Sequence, residues 1–285
     1  MMRLYTKLKV RLIILLDKIF LRYDKGQVLR SQNILMIPQL LRRVGGKISY
    51  AEWAHVIGVF QTLICQNTKE SPQILDVGCG TGLLGIAAYN SISNGGSYTG
   101  IDVSKRDIDY CKSKYPPNNY TFIHLPIHNA TYAGNQPKNQ LKWDLPDQNF
   151  DLVTALSVWT HFNEEDAHFY IKEVSRVLKK DGKAIISFFI LDSFYEQFLS
   201  GNPKVKRVLH NSLSLDWTFE SKAYDSENWF TTTWAKAPED AIALNRVGLD
   251  SLLHLSGLKI IEHYPGTWKG FPGLYFQDIL VLQKG

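Results

Sequence analysis

The sequence predicts an α/β fold, a doubly wound sheet of seven strands with the last one antiparallel, helices at the N-terminus and an aromatic-rich insert after strand five. Three observations carry this. Ile74, Leu75 and Val77 form a short apolar run that breaks into Gly78-x-Gly80-x-Gly82 and re-emerges as a helical run over 83–89. A strand that turns through glycines into a helix builds a ligand site at the carboxyl edge of a parallel sheet. Strand-like and helix-like runs then alternate as far as residue 191, the order of a parallel sheet with crossover helices. Residues 258–263 and 274–282 are two further strands, and their connection is too short for a crossover helix, so they pair antiparallel.

Composition bounds the problem. The 285 residues are 45% hydrophobic and 21% charged, an ordinary globular balance that suits one large domain. Three cysteines, Cys65, Cys79 and Cys111, are odd in number and lack metal-ligand spacing, so neither a disulfide framework nor a metal site is expected. The net charge of +5 is mild, and without a clustered basic face no nucleic-acid partner is expected.

Taken in order, residues 1–25 come first. The apolar stretch 12–16 is too short to span a membrane and is followed by Asp17-Lys18, and no small-residue cleavage site follows. A cytoplasmic location is expected. At helical spacing Arg3, Lys7, Arg11, Lys18, Arg22 and Lys25 form a basic stripe, with Leu8, Leu12, Leu15, Leu16 and Ile19 on another side. Such a helix either lies on an anionic membrane surface or packs on the domain. Val10, Ile13 and Phe20 widen the apolar face and favour packing. Residues 50–65 read as a second helix, and residues 1–68 together as a helical lid region in which Arg43, Tyr50 and Trp53 either cover a ligand or simply pack.

The glycine loop follows strand one, and Cys79 within it fills a position where a small side chain is needed. Residues 97–102 form a second strand ending in Asp102, 20 residues after Gly82. An acid at about that distance meets ribose hydroxyls in dinucleotide sites, and a carboxylate has acceptors enough for a vicinal diol. The structural alternative for Asp102 is to cap the helix over 104–114. Residues 120–124 and 152–157 are strands three and four. Asn163 with Glu164, Glu165 and Asp166 starts a helix that Asp181-Gly182 ends, and 183–191 is strand five. The insert, 192–237, holds three of the seven tryptophans and serves either as an aromatic substrate cap or as a satellite core. Pro238-Glu-Asp opens a last helix that Gly257 closes.

Asp76-Val-Gly-Cys-Gly-Thr-Gly82 closely resembles the first motif of class I S-adenosylmethionine (SAM) methyltransferases, a Rossmann-like family whose sheet ends in an antiparallel strand. The approach to strand four, Leu145-Pro-Asp-Gln-Asn-Phe-Asp-Leu-Val153, is similar to that of small-molecule members. The resemblance covers roughly residues 70–191 by motif and the terminal strand pair by topology. It implies SAM as cofactor. Asp76, Gly78, Cys79, Gly80, Thr81 and Gly82 would meet its methionine part, Asp102 the ribose and Val103 the adenine face. The acid that many members carry after strand three is absent, so Ile127 or a backbone group would take its place, and Ser157 is a further expected cofactor contact.

The expected reaction is methyl transfer to a small-molecule acceptor, a sugar, lipid-linked or secondary metabolite, with O-methylation favoured. His161, just past strand four, is the expected general base, because a neutral imidazole can take a hydroxyl proton. Its alternative is a structural residue before a helix cap, and His128 and His263 are weaker choices. Ser157-Val-Trp-Thr160 lacks the Asn/Asp-Pro-Pro-aromatic run of nucleobase amino-methylating enzymes. A nicotinamide-dependent oxidoreductase, since Gly80-Thr-Gly-Leu-Leu-Gly85 also fits G-x-G-x-x-G, and a catalytically silent SAM-fold protein are the competing functions.

Overall fold

The protein is described here from a computed structural model, which describes residues 2–24, 36–43, 47–126, 140–201 and 217–285. Ile127 and His128 lie outside the described residues. Two helices come first, α1 (Met2–Asp24) and α2 (Tyr50–Asn67). Ser49 caps α2 by accepting the Glu52 N–H at 3.0 Å, and Trp53, Ile57, Phe60 and Ile64 recur at helical spacing on its buried face.

The core then alternates: β1 (Gln73–Val77), α3 (Leu83–Ile92), β2 (Ser97–Asp102), α4 (Lys105–Lys114), β3 (Tyr120–His124), β4 (Phe150–Ala155), α5 (Glu164–Val177) and β5 (Leu178–Phe188). Next come β6 (Ile190–Leu191), the insert's α6 (Ser193–Ser200), β7 (Ser221–Lys222) and β8 (Trp229–Thr231), and then β9 (Ile242–Asn245). The chain closes with α7 (Arg246–Ser256), β10 (Leu258–Tyr264) and β11 (Asp278–Lys284).

Seven strands form the main sheet in the order β10-β11-β5-β4-β1-β2-β3. β11 pairs antiparallel with both β10 and β5, and the remaining pairs are parallel. The order reverses between β1 and β4: from β1 the chain steps outward to β2 and β3, then returns to the other side of β1 as β4. The crevice outside the carboxyl ends at such a reversal is where open α/β sheets hold ligands. It brings the glycine loop after β1 beside residues 156–163 after β4. One core face gathers side chains of α2, α3 and α4, the other those of α5 and α7.

Several boundaries differ from the sequence expectation, β4 among them at Phe150–Ala155 rather than 152–157, and three have a clear physical reason. Pro238–Asp240 is a single 3₁₀ turn, not the start of a long helix, and β9 intervenes before α7. Ala241, Ile242, Ala243 and Leu244 are all buried, and β9 pairs with β6 on one side and β8 on the other, so an apolar run that could serve a helix is consumed by a second, four-stranded sheet. Asp181-Gly182 does not end α5, which stops at Val177. Phe150 pairs with Leu178 and Leu152 with Lys183, so residues 179–182 bulge from β5, with Asp181 at φ +60°. The last strand begins at Asp278 rather than at 274, because the Tyr275 and Phe276 carbonyls bond instead to the N–H groups of Thr267 and Trp268.

Candidate functional site

The glycine loop is held from both sides. The Gly78 and Cys79 N–H groups donate to the Ile101 carbonyl at 2.9 and 3.1 Å, extending the β1–β2 pairing past the end of β1. Gly78 and Gly82 take φ of +70° and +87°, which disfavours a Cβ, and space forbids one as well. A Cβ on Gly78 would stand 2.5 Å from the Val158 side chain, and one on Gly82 2.4 Å from the Tyr115 hydroxyl. That hydroxyl donates to the Gly82 and Thr81 carbonyls at 2.8 and 3.2 Å. Gly80 is also left-handed, at φ +51°. The Cys79 sulfur packs against Gly100, where a Cβ would come within 2.9 Å of it. Burial pushes its thiol well above the ordinary range, so it fills space and is no nucleophile.

Two acids flank the loop. Asp102 accepts the Gly80 N–H through Oδ2 and the Ser104 N–H through Oδ1, both at 2.7 Å. It therefore ties the loop to the segment after β2; the N-cap of α4 is Ser104, so Asp102 holds the cap residue's own N–H and does not cap the helix itself. A carboxylate has about four lone-pair sites, so two remain for a diol. Burial raises its pKa, against the two backbone donors. Val103, beside it, is half-buried, and its carbonyl lies 3.2 Å from His124 Nε2.

Asp76 is buried below the loop. Its carboxylate accepts the Tyr98 hydroxyl through Oδ2 and the Thr154 hydroxyl, at 2.9 Å, through Oδ1. Burial, only partly offset by those two donors, raises its pKa from an ordinary 3.8 to about 7. A group raised in the folded state stabilises the fold below its unfolded pKa, and that stability is lost as pH rises through the folded value. Urea unfolding is therefore expected to show the wild type losing stability relative to Asp76→Asn between about pH 4 and 7, by up to roughly 4 kcal/mol. Equal pH dependence in the two proteins would refute this.

On the β4 side, Ser157 is a non-glycine residue at φ +60°, the kind of strain that collects at functional sites. Its N–H donates to Ser187 Oγ at 2.7 Å, and its hydroxyl and that of Ser187 both donate to Gln277 Oε1, at 3.0 and 2.7 Å. Trp159–His161 forms a 3₁₀ turn. His161 Nδ1 lies 2.6 Å from the Glu239 carbonyl. A carbonyl only accepts, so Nδ1 carries the hydrogen and the lone pair of the neutral ring sits on Nε2. Burial lowers the ring's pKa, which keeps it neutral near pH 7.

The N-terminal segment reaches the loop through a residue the sequence did not single out: Thr81 Oγ1 donates to the Arg42 carbonyl at 2.7 Å. Arg43, Tyr50 and Trp53 pack. The Arg43 guanidinium pairs with Asp17 at 2.6 Å and donates to the Pro38 and Ile48 carbonyls, Trp53 donates to the Lys47 carbonyl, and Tyr50 is buried against Phe20. The described aromatic residues of the insert form no separate core: Tyr195, Phe198, Trp217 and Phe219 join the main core face that α2 and α3 share. Trp217 lies 4.9 Å from Phe276 and 5.1 Å from Phe189, and Phe219 lies 5.4 Å from Trp268, ring centre to ring centre.

His263 stands away from the loop, 3.4 Å from Asp278 in a network that the sequence did not reveal. Asp192, His263 and Asp278 cluster as metal ligands would. The Lys269 ammonium, however, lies 2.8 Å from Asp192 and 2.7 Å from Asp278 and already supplies the cation. Tyr98, Tyr115 and Gln277 were likewise missed, since a tyrosine or glutamine in an apolar strand or helix carries no local sign of a distant partner.

A crevice at the reversal of a mostly parallel sheet, a left-handed glycine loop and an acid at the end of β2 define a nucleotide-type cofactor site in a class I methyltransferase fold. A family profile described as a methyltransferase domain matches residues 75–186. Over 207 residues, 73% of this chain and 79% of that protein, the chain is 30% identical to a demethylmenaquinone methyltransferase of Bacillus licheniformis. It is 32% identical to a ubiquinone biosynthesis O-methyltransferase of Pelagibacter ubique over 133 residues, 47% of this chain, and spans only about half, 48%, of that protein. A SAM-dependent methyltransferase structure from Clostridium acetobutylicum shares the fold with a TM-score of 0.50 at 14% identity, over 84% of this chain and 93% of that one. The chain belongs to the SAM-dependent methyltransferases, and its cofactor is SAM. The nicotinamide alternative is not favoured.

Proposed function

We propose that this enzyme transfers the SAM methyl group to a hydroxyl of a small, apolar, ring-containing acceptor, with residues 1–68 as a lid over the cofactor and 192–237 as a cap beside the acceptor. The observation that carries the reading is His161, a half-buried imidazole just past the carboxyl end of β4 whose Nδ1 donates to the Glu239 carbonyl and whose lowered pKa keeps the ring neutral. The names of the two relatives, one an O-methyltransferase of ubiquinone biosynthesis and the other a demethylmenaquinone methyltransferase, support a quinone-like acceptor.

When bound, the cofactor supplies an electrophilic methyl group on a sulfonium. Asp102 would hold the ribose diol through its remaining lone pairs while keeping the loop in place through Gly80. The backbone of Gly78–Gly82 would line the methionine part, with Val103 against the adenine and Ser157 at the β4 side. His161 Nε2 would take the acceptor's hydroxyl proton, and the lid and cap would exclude water and align the acceptor, a contribution of about 7–11 kcal/mol in well-oriented reactions.

Two measurements test this. Transfer of a labelled methyl group to hydroxylated quinone precursors should exceed transfer to amine analogues, and a preference for amines would refute the O-methylation reading. Asp102→Ala should weaken SAM binding by about 1.5–3 kcal/mol in calorimetry, the scale of a hydrogen bond to a charged group. Unchanged affinity in a folded variant would remove Asp102 from the ribose site.

A further inference from the structure

Helix α1 has two apolar sides, and only one of them is used by the fold. Val10, Ile13, Ile14 and Asp17 are partly buried and share an arc of about 100° at 100° per residue. Asp17 on this side makes the ion pair with Arg43 at 2.6 Å, and Phe20 at its border meets Tyr50 at 5.1 Å. The opposite arc, also about 100° wide, holds Leu8, Leu12, Leu15, Leu16 and Ile19, each between 47% and 57% exposed. The sequence left the leucine side either to a membrane surface or to packing, with packing favoured; the structure packs the other side and leaves the leucines open.

We infer that the stripe from Leu8 to Ile19 docks the protein on an anionic lipid bilayer, with α1 lying in the interface plane. Charge complementarity selects this occupant. Arg11, Lys18 and Arg22 border the stripe on one side and Lys9 on the other, all exposed, while Asp17, the one acid between Leu8 and Arg22, turns inward to Arg43. Cations beside an apolar stripe suit anionic headgroups above acyl chains. A second copy of the helix would instead bring these like charges together. Among the described residues no helix is long and apolar enough to cross a membrane, so the helix can lie on the bilayer but not span it. Directly behind it, Arg43 and then Arg42 lead to Thr81 in the glycine loop. A chain docked by this stripe therefore holds its lid segment against the membrane-bound helix, well placed for an acceptor drawn from the lipid phase. Docking itself does not depend on which acceptor is methylated.

The test is flotation of the full 285-residue chain with vesicles of phosphatidylcholine alone or mixed with phosphatidylglycerol. Retention is expected on the mixed vesicles at low salt, weakening as salt screens the headgroups. Leu12→Glu with Leu16→Glu should lower the partition coefficient about tenfold or more, and Arg11→Ser with Lys18→Ser should do the same on mixed vesicles. Both variants should keep the wild-type circular dichroism, since these side chains face solvent. No retention on mixed vesicles overturns the inference, as does retention that survives high salt and both double substitutions. So does a concentration-dependent dimer in sedimentation that Leu12→Glu with Leu16→Glu abolishes while vesicles retain nothing, which would assign the stripe to a second copy.

Discussion

Replacing His161 with alanine is expected to slow methyl transfer by about 10²–10⁴-fold, the range for one positioned proton acceptor. SAM affinity should barely move, because the proposed cofactor contacts lie at the glycine loop and Asp102. The informative partner is His161→Asn. An asparagine amide can still donate to the Glu239 carbonyl, now 2.6 Å from Nδ1, so it preserves the anchor while removing the base. It should be nearly as slow as alanine. The wild-type rate should rise with pH as the imidazolium loses its proton, and since burial lowers that pKa, the plateau should begin below the ordinary histidine range. Both variants should lose the inflection. If asparagine restores most of the rate, His161 only orients the acceptor and the base lies elsewhere.

The second large effect is on stability. Lys269→Met is expected to cost about 3–5 kcal/mol, the penalty for leaving one partner of a buried pair uncompensated. Lys269 is 2% exposed, and its ammonium sits between Asp192 and the fully buried Asp278. Burial alone would raise the Asp278 pKa, but His263, the Lys269 charge and hydrogen bonds from Lys269 and Trp268 together hold it below the usual range. The Gly266 and Ile190 N–H groups, at 2.9 and 3.0 Å, complete its shell. Removing the cation leaves that carboxylate among donors too few for its charge, and frees Asp192, which caps α6 by accepting the Tyr195 N–H at 3.1 Å. Because a domain is stable by only about 5–15 kcal/mol, the loss should be plain in urea unfolding. Adding Asp278→Asn should recover part of it, since both members of the pair are then neutral. A single variant as stable as wild type would mean that the network contributes nothing to the fold.

What was legible in the sequence was local. The glycine loop, the acids Asp76 and Asp102, the capping Asn163 and the buried strands all announce themselves within a few residues, because turn geometry, caps and apolar periodicity are properties of neighbouring residues. Where local signals were ambiguous the structure chose otherwise. Pro238-Glu-Asp reads as a helix start, but Ile242–Asn245 becomes a strand once β6 and β8 stand on either side of it. Asp181-Gly182 reads as a helix stop but serves as a bulge in a strand that β4 and β11 pair from both sides.

The sequence by itself determined the class of fold, the place of the glycine loop and the acids beside it. Only the tertiary structure decided that Gly78 and Gly82 are also required by Val158 and Tyr115, and that Asp76 answers to Tyr98 and Thr154. It also set the His161 tautomer through a carbonyl 78 residues away, and turned one side of α1 outward. The reason is physical. Backbone preference is set by a residue and its neighbours along the chain, whereas burial, hydrogen-bond partners and the pKa shifts that follow from them depend on which distant elements become neighbours when the sheet assembles.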